Sequence, residues 1–256
     1  MKIALYQSPT TDGDEDAAFD RVGRMLGAAA LAGAGMAVFP ELYLPGYNRP
    51  DLHPARAQVQ GGPWEERLAG LAREAGCGLA IGWAERDGEA VYNVASCYDA
   101  TGRKLAHHRK LQLFGPMEKG VFQPGDRYSI FDLGDRRAAL LICYDVEFAH
   151  HVRALHEAGV DLLLVPTANP AGFGVVNDAL VPARAYEYRM TVVYANYHGD
   201  EAGLAFGGGS VIVGPDGQPL ARAGTGESLL VCDLAGLSVL DPGILSTQDQ
   251  DRREIG

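Results

Sequence analysis

Short apolar runs alternate along this chain with longer stretches whose apolar residues recur every three or four positions. No other feature constrains the fold as much. Apolar runs of four to eight residues bounded by turn signals read as buried strands, and stretches of 3.6-residue period read as helices lying over them. Residues 2–7 form such a run, and Glu15–Leu31 follows with Phe19, Val22, Met25 and Leu26 on one face. The pattern predicts a helix over 65–75, strands at 78–83 and 91–98, and a strand over 137–142 that ends at Cys143. An amphipathic helix over 147–158, a strand at 161–165 and a helix around 182–189 come next. Strands at 191–195, 210–213 and 229–233 close the series, with Pro215-Asp216-Gly217 as a turn between the last two. Such alternation builds layered α/β architecture. Nothing resembling a linker, repeat or low-complexity stretch interrupts it. The reading is therefore one domain over residues 1–240 and a polar, irregular tail over 241–256 that packs against a partner subunit or stays mobile.

Composition narrows the function classes. A net charge of −11 argues against nucleic acid as a partner. No apolar run approaches the length needed to span a bilayer, and the start enters a strand rather than a signal peptide, so no membrane association and a cytoplasmic location are expected. Cys77, Cys97, Cys143 and Cys232 are scattered without paired spacing, which fits reduced thiols. Gly207-Gly208-Gly209-Ser210 lacks the lysine and following helix of a phosphate loop and reads as a tight turn. His150, His151 and His156 have no cysteine or acid to complete a metal set, and they read as helix-surface residues.

Three strand ends carry chemistry. The strand at 36–39 is stopped by Pro40 and followed by Glu41; the segment 104–110 ends in His108-Arg109-Lys110; the run 137–142 ends in Cys143-Tyr144-Asp145. In α/β sheets, functional groups gather beyond the carboxyl ends of strands. A thiol at a strand-to-helix elbow meets backbone N–H groups and a helix dipole, which favours the thiolate. A carboxylate can take the thiol proton, and an ammonium can stabilise thiolate and oxyanion alike. Pro166-Thr167-Ala168-Asn169 lies past a further strand end, and Asn169 is expected to line the same pocket.

The segments FPELYLPGY, HRKLQLFG and LLICYDVEF, in this order and spacing, resemble the three signature blocks of the carbon–nitrogen hydrolase (nitrilase) superfamily. The resemblance runs from Ile3 to about Leu234. It implies a four-layer α-β-β-α sandwich that pairs into a homodimer or higher homo-oligomer. It also implies a catalytic triad with Glu41 as general base, Lys110 as oxyanion-stabilising cation and Cys143 as nucleophile, joined by Glu118 as the second active-site glutamate. The oxyanion would also take the backbone N–H of Tyr144. No metal, nucleotide or organic cofactor is implied. Arg184 and Glu187 resemble a bracing block whose usual asparagine is Tyr188 here.

ICYDVEF, VPTAN and VYANY are similar to segments of short aliphatic amidases, the delta-aminovaleramidases and R-stereoselective amino-acid amidases. The expected function is hydrolysis of a small aliphatic amide to carboxylate and ammonia through a cysteine thioester. N-carbamoyl amino-acid amidohydrolase and nitrilase are the alternatives, and a catalytically silent binding subunit is the non-enzyme one. Related omega-amidases usually carry an arginine where this chain has Glu147, so Glu147 is expected to select amides bearing a free amine.

Overall fold

The structure, a computed structural model, describes residues 1–253, and Ser238 and Val239 are described in backbone only. Fourteen strands lie among the described residues: β1 Lys2–Pro9, β2 Met36–Val38, β3 Gly78–Asp87, β4 Ala90–Tyr98, β5 Lys104–Arg109, β6 Ser129–Leu133, β7 Arg136–Leu140, β8 Leu162–Pro166, β9 Thr191–Ala195, β10 Tyr197–Glu201, β11 Leu204–Gly207, β12 Val211–Val213, β13 Pro219–Arg222 and β14 Ser228–Asp233. One sheet runs β11-β10-β1-β2-β3-β4-β5, with β14 also paired to β1; the other runs β13-β12-β9-β8-β7-β6. The centre of each sheet is parallel, β1-β2-β3 in one and β7-β8-β9 in the other.

Alternation along the strands explains the layering, because successive side chains point to opposite faces. Ile3, Leu5, Met36, Val38, Ala80 and Ala95 of the first sheet meet Ala138, Leu140, Leu162, Leu164 and Val193 of the second in a dry interior. The outward set of the first sheet, including Ala4, Ala37, Leu79 and Ile81, is covered by the helices α1 Glu15–Leu31 and, beyond the short α2 His53–Arg56, α3 Pro63–Ala75. After α4 Gly115–Val121, the helices α5 Ala149–Glu157 and α6 Val181–Glu187 cover the outward face of the second sheet through Val152, Leu155, Val181 and Ala185. The result is the expected α-β-β-α sandwich. Among the described residues, no helix is long and apolar enough to cross a membrane.

Several local expectations are corrected. Cys143–Glu147 is a single 3₁₀ turn, and α5 starts only at Ala149, so the thiol does not sit under the N-terminus of a long helix. The Pro215-Asp216-Gly217 turn leads into β13, a strand too short and polar to stand out in the sequence. Strand β10, YHGDE, was hidden for the same reason, and β6 and β11 were too short to stand out. His151 is not a surface residue: it is 7% exposed, with Gln112 Nε2 at 3.0 Å and the Tyr128 hydroxyl at 2.8 Å. In the tail, Asp249 accepts from Arg189 Nη2 at 2.5 Å and lies 3.1 Å from His156 Nε2. Asp249 thus ties this part of the tail to α5 and to the loop after α6. Residues 254–256 lie outside the described residues.

Candidate active site

Both sheets end at one edge, where the loops after β2, β5, β7 and β8 meet. Glu41 follows β2 and is placed by backbone contacts. Its N–H donates to Thr167 O at 3.3 Å, and its carbonyl accepts from the Tyr197 hydroxyl at 2.9 Å. The Glu41 turn lies so close to β3 that a Cβ on Gly82 would stand 2.6 Å from Glu41 Cα and 2.4 Å from Leu42 N. Only glycine permits that approach. Lys110 is the first residue past β5, and its carbonyl accepts from Gly125 N at 2.8 Å. A Cβ on Gly125 would fall 2.3 Å from Arg109 O, so this glycine too is fixed by close packing.

Lys110 is the hub. Its Nζ donates to Glu41 Oε1 at 2.6 Å and Glu118 Oε1 at 2.7 Å, and all three side chains are fully buried. Glu118, on α4, also accepts from the Tyr47 hydroxyl at 2.7 Å and from Phe114 N at 2.9 Å. Glu41 Oε1 takes a further hydrogen bond from Asn93 Nδ2 at 2.7 Å, whereas Glu41 Oε2 is buried without a partner. Two carboxylates therefore share one ammonium in a fully buried site. Burial, with Glu118 adding to it, pushes the Glu41 carboxyl up to about 7 despite Lys110 and Asn93. Burial alone would lower the Lys110 ammonium, but Glu118 and Glu41 outweigh it, so Lys110 is held firmly protonated.

Cys143 sits at the turn after β7 with φ of 45°, a left-handed conformation that a non-glycine residue adopts only when its surroundings impose it. Its thiol is not depressed as the elbow argument anticipated. Burial raises it strongly, and the nearby Glu41 charge adds to that, against smaller opposing effects from Lys110, Thr167 and the Ala168 backbone. Burial thus works against the thiolate at this position, and a neighbouring base would offset it.

Asp145 was passed over in the sequence, yet it ties two of the loops together. Its Oδ1 accepts from Leu111 N at 3.1 Å and Gln112 N at 2.8 Å, and its Oδ2 accepts from Ile142 N at 3.0 Å and lies 3.3 Å from His108 Nε2. The segment after Lys110 is thereby locked to the Cys143 turn. An acid two residues past the elbow cysteine was the available signal. Asn93 and Tyr47 left no such trace.

The three residues expected to bind substrate separate. Tyr144 packs edge-on against Phe114 and Phe148, with ring centroids 5.3 and 4.8 Å away, and the exposed Phe173 meets Phe114 edge-on as well, at 5.7 Å. Glu147 is half-buried; burial raises its carboxyl, while Lys110 and Arg184 pull it down. Its carbonyl accepts from Arg184 Nη2 at 2.9 Å, and among the described residues its carboxylate has no hydrogen-bond or ion-pair partner. Asn169 turns its side chain to Phe173 O at 3.1 Å and Asn177 Oδ1 at 3.4 Å. It braces the 169–177 loop instead of presenting a free amide to the site. Arg184 pairs with Glu187 at 3.0 Å, in keeping with a bracing role. Among the described residues no cluster of three or more histidines, cysteines or acids could hold a metal ion.

A sequence profile of the carbon-nitrogen hydrolase family matches residues 2–237. The chain belongs to that family. It is 33% identical over 236 residues to an (R)-stereoselective amidase from Pseudomonas sp., covering 91% of this chain and 85% of the relative. It is 31% identical over 262 residues to a nitrilase from Pyrococcus abyssi, covering 99% and 98%. The fold superposes with a TM-score of 0.88, at 39% identity over 92% of this chain and 94% of the other, on a variant of the amidase from Nesterenkonia sp. AN1 in which acrylamide has added to the active-site cysteine. This carbon-nitrogen hydrolase thus shares the fold of nitrilase-superfamily amidases over nearly its whole length.

Proposed function

We propose that this carbon-nitrogen hydrolase is an amidase that cleaves small aliphatic amides to carboxylate and ammonia. The observation that carries the reading is the buried ammonium of Lys110 held between Glu41 and Glu118, with the second oxygen of Glu41 unpartnered. In this scheme Cys143 gives its proton to Glu41 Oε2, and the thiolate attacks the amide carbon. The oxyanion that forms is stabilised by the Lys110 ammonium and the Tyr144 backbone N–H. Protonated Glu41 returns its proton to the amide nitrogen, which leaves as ammonia. Glu41 then deprotonates a water that attacks the thioester; collapse releases the carboxylate, and the sulfur recovers a proton. Glu118 keeps Lys110 aimed, anchored in turn by Tyr47.

A carboxyl near 7 suits both halves of this cycle, since it can accept and return a proton at neutral pH. For substrate, the aromatic wall of Phe114, Tyr144 and Phe148 suits an aliphatic chain, and the unpaired Glu147 carboxylate suits an ammonium at its far end. Amine-bearing amides such as delta-aminovaleramide or an amino-acid amide are the proposed class. The Pyrococcus relative keeps nitriles as the second reading.

The test is ammonia release from a panel of amides, nitriles and N-carbamoyl amino acids, with Cys143→Ala as the blank. Amides should lead, and Cys143→Ala should release nothing. A nitrile or carbamoyl compound ahead of every amide would replace the substrate class, and ammonia release by Cys143→Ala would end the mechanism.

A further inference from the structure

Behind the thiol stand two hydroxyls that the scheme above does not use. Thr167, the first residue past β8, is fully buried, and its backbone is fully engaged: its N–H donates to Ala195 O at 2.9 Å, and its carbonyl receives the Glu41 N–H. Its Oγ1 faces both Cys143 and Tyr194. Tyr194 lies on β9, opposite Val165 of β8, and is also fully buried. In the resting structure neither Thr167 Oγ1 nor the Tyr194 hydroxyl closes a hydrogen bond of ordinary geometry. Buried hydroxyls without partners are unfavourable by about 1–3 kcal/mol each, so a pair of them at one spot calls for a state in which they are satisfied.

We infer that Thr167 and Tyr194 form a two-hydroxyl relay that holds the Cys143 thiolate once its proton has left. Tyr194 O–H donates to Thr167 Oγ1, which frees the Thr167 hydrogen to donate to Sγ. A neutral thiol gains little from this arrangement, whereas a thiolate gains a charge-assisted hydrogen bond. No proton changes owner, because Glu41 alone takes the thiol hydrogen. The charged and titratable groups around the sulfur are Glu41 after β2, Lys110 after β5, Tyr47 on the Glu118 side, and Tyr194 itself. Thr167 adds a donor that needs no charge of its own. It also joins base and nucleophile, since its carbonyl fixes Glu41 while its hydroxyl serves Cys143.

The inference rests on Cys143 being the nucleophile, and its test separates the two. The pH dependence of iodoacetamide alkylation at Cys143, quantified by peptide mass spectrometry, reports thiolate formation without turnover. Thr167→Val keeps the side-chain shape and both backbone bonds but removes the donor. It should slow Cys143 alkylation at neutral pH about tenfold and move its pH midpoint up by about one unit, the effect of one hydrogen bond to a charged group. Thr167→Ser should restore the wild-type profile, and Tyr194→Phe should slow alkylation about threefold in the same direction. A Thr167→Val profile that overlays wild type overturns the relay while leaving the nucleophile intact. Should Thr167→Val fail to fold, an unchanged Tyr194→Phe profile overturns it instead. If complete alkylation of wild-type Cys143 leaves ammonia release intact, the nucleophile assignment itself has failed.

Discussion

Strand β5 carries two buried polar networks, one on each face, and they differ in how far their groups are satisfied. On the outward face His107 and Arg109 meet Glu85. Arg109 donates to Glu85 Oε1 at 2.7 Å and Oε2 at 2.9 Å, and His107 Nε2 lies 2.9 Å from Oε2. Through Ser96 this network reaches Glu65, which also takes bonds from Tyr98 at 2.7 Å and Lys104 at 2.7 Å. On the inward face Lys110 serves two carboxylates, and Glu41 Oε2, Thr167 Oγ1 and the Tyr194 hydroxyl go unpartnered. The same residue type responds in opposite directions. Burial acts to raise Glu85, but His107 and Arg109 overcome it and bring the carboxyl down to about 2; Glu41 goes up to about 7. A network with every oxygen matched holds a scaffold together, whereas one left short of donors keeps capacity for groups that arrive during a reaction.

The comparison breaks most visibly at the inner network. Cys143→Ala should abolish ammonia release with the thermal midpoint little changed, because only one sulfur is lost from the turn. Glu41→Gln should lower kcat by about 10²-fold or more through loss of the base. Its stability should move the other way. The folded state holds the Glu41 proton more tightly than the unfolded chain, so ionising it is unfavourable to folding. That penalty is absent below about pH 4.5 and complete above about pH 7. Glu41→Gln should therefore melt no lower than wild type above pH 7, and wild-type kcat should fall as pH drops below about 7. A large loss of stability in Glu41→Gln with kcat retained would reverse the roles given to the two faces.

At the outer network the expected signs are exchanged. Glu85→Gln leaves Arg109 and His107 short of an anion and should lower stability by roughly 1–3 kcal/mol, measured by urea unfolding at neutral pH. Its kcat should stay within about threefold of wild type. The contribution of Glu85 is present above about pH 4.5 and disappears as pH falls toward about 2, so the gap between wild type and Glu85→Gln should close on acidification. A gap that persists undiminished in acid would show that packing, not charge, carries the effect.

The two faces also differ in how well the sequence announces them. Glu41 and Cys143 each follow an apolar run and Lys110 a strand-like segment rich in basic residues, and these strand-end positions together with the signature segments are what made them legible. Periodicity such as that of Glu15–Leu31 made the α/β class legible, whereas the α-β-β-α layering came from the resemblance of the three signature segments. Asp145 and Asn93 were not legible, because their roles come from loops and strands that meet only in three dimensions. The helix dipole expected beneath Cys143 is absent because only one 3₁₀ turn follows it, and burial, which the sequence does not display, acts against the thiolate. Asn169 was placed beside the site by position, and the sequence could not show that its Nδ2 turns to Phe173 O and Asn177 Oδ1.

The smallest expected effect concerns Glu147, which stands between the two regimes: half-buried, unpaired, and close enough to Lys110 and Arg184 to respond to both cations. An ammonium at the far end of a substrate would give this carboxylate the partner it lacks. At a half-exposed site such a pair contributes up to about 1 kcal/mol, or roughly three- to fivefold in kcat/KM. Wild type should thus favour delta-aminovaleramide over valeramide by that factor, and both over glutaramate, whose carboxylate would face Glu147. Glu147→Gln should bring the first two rates together by slowing the amine while leaving valeramide nearly unchanged, and 0.5 M salt should weaken the preference in wild type. If Lys110 and Arg184 instead dominate the field at the pocket mouth, glutaramate will be the best substrate of the three. That result would assign Glu147 to the scaffold with Glu85.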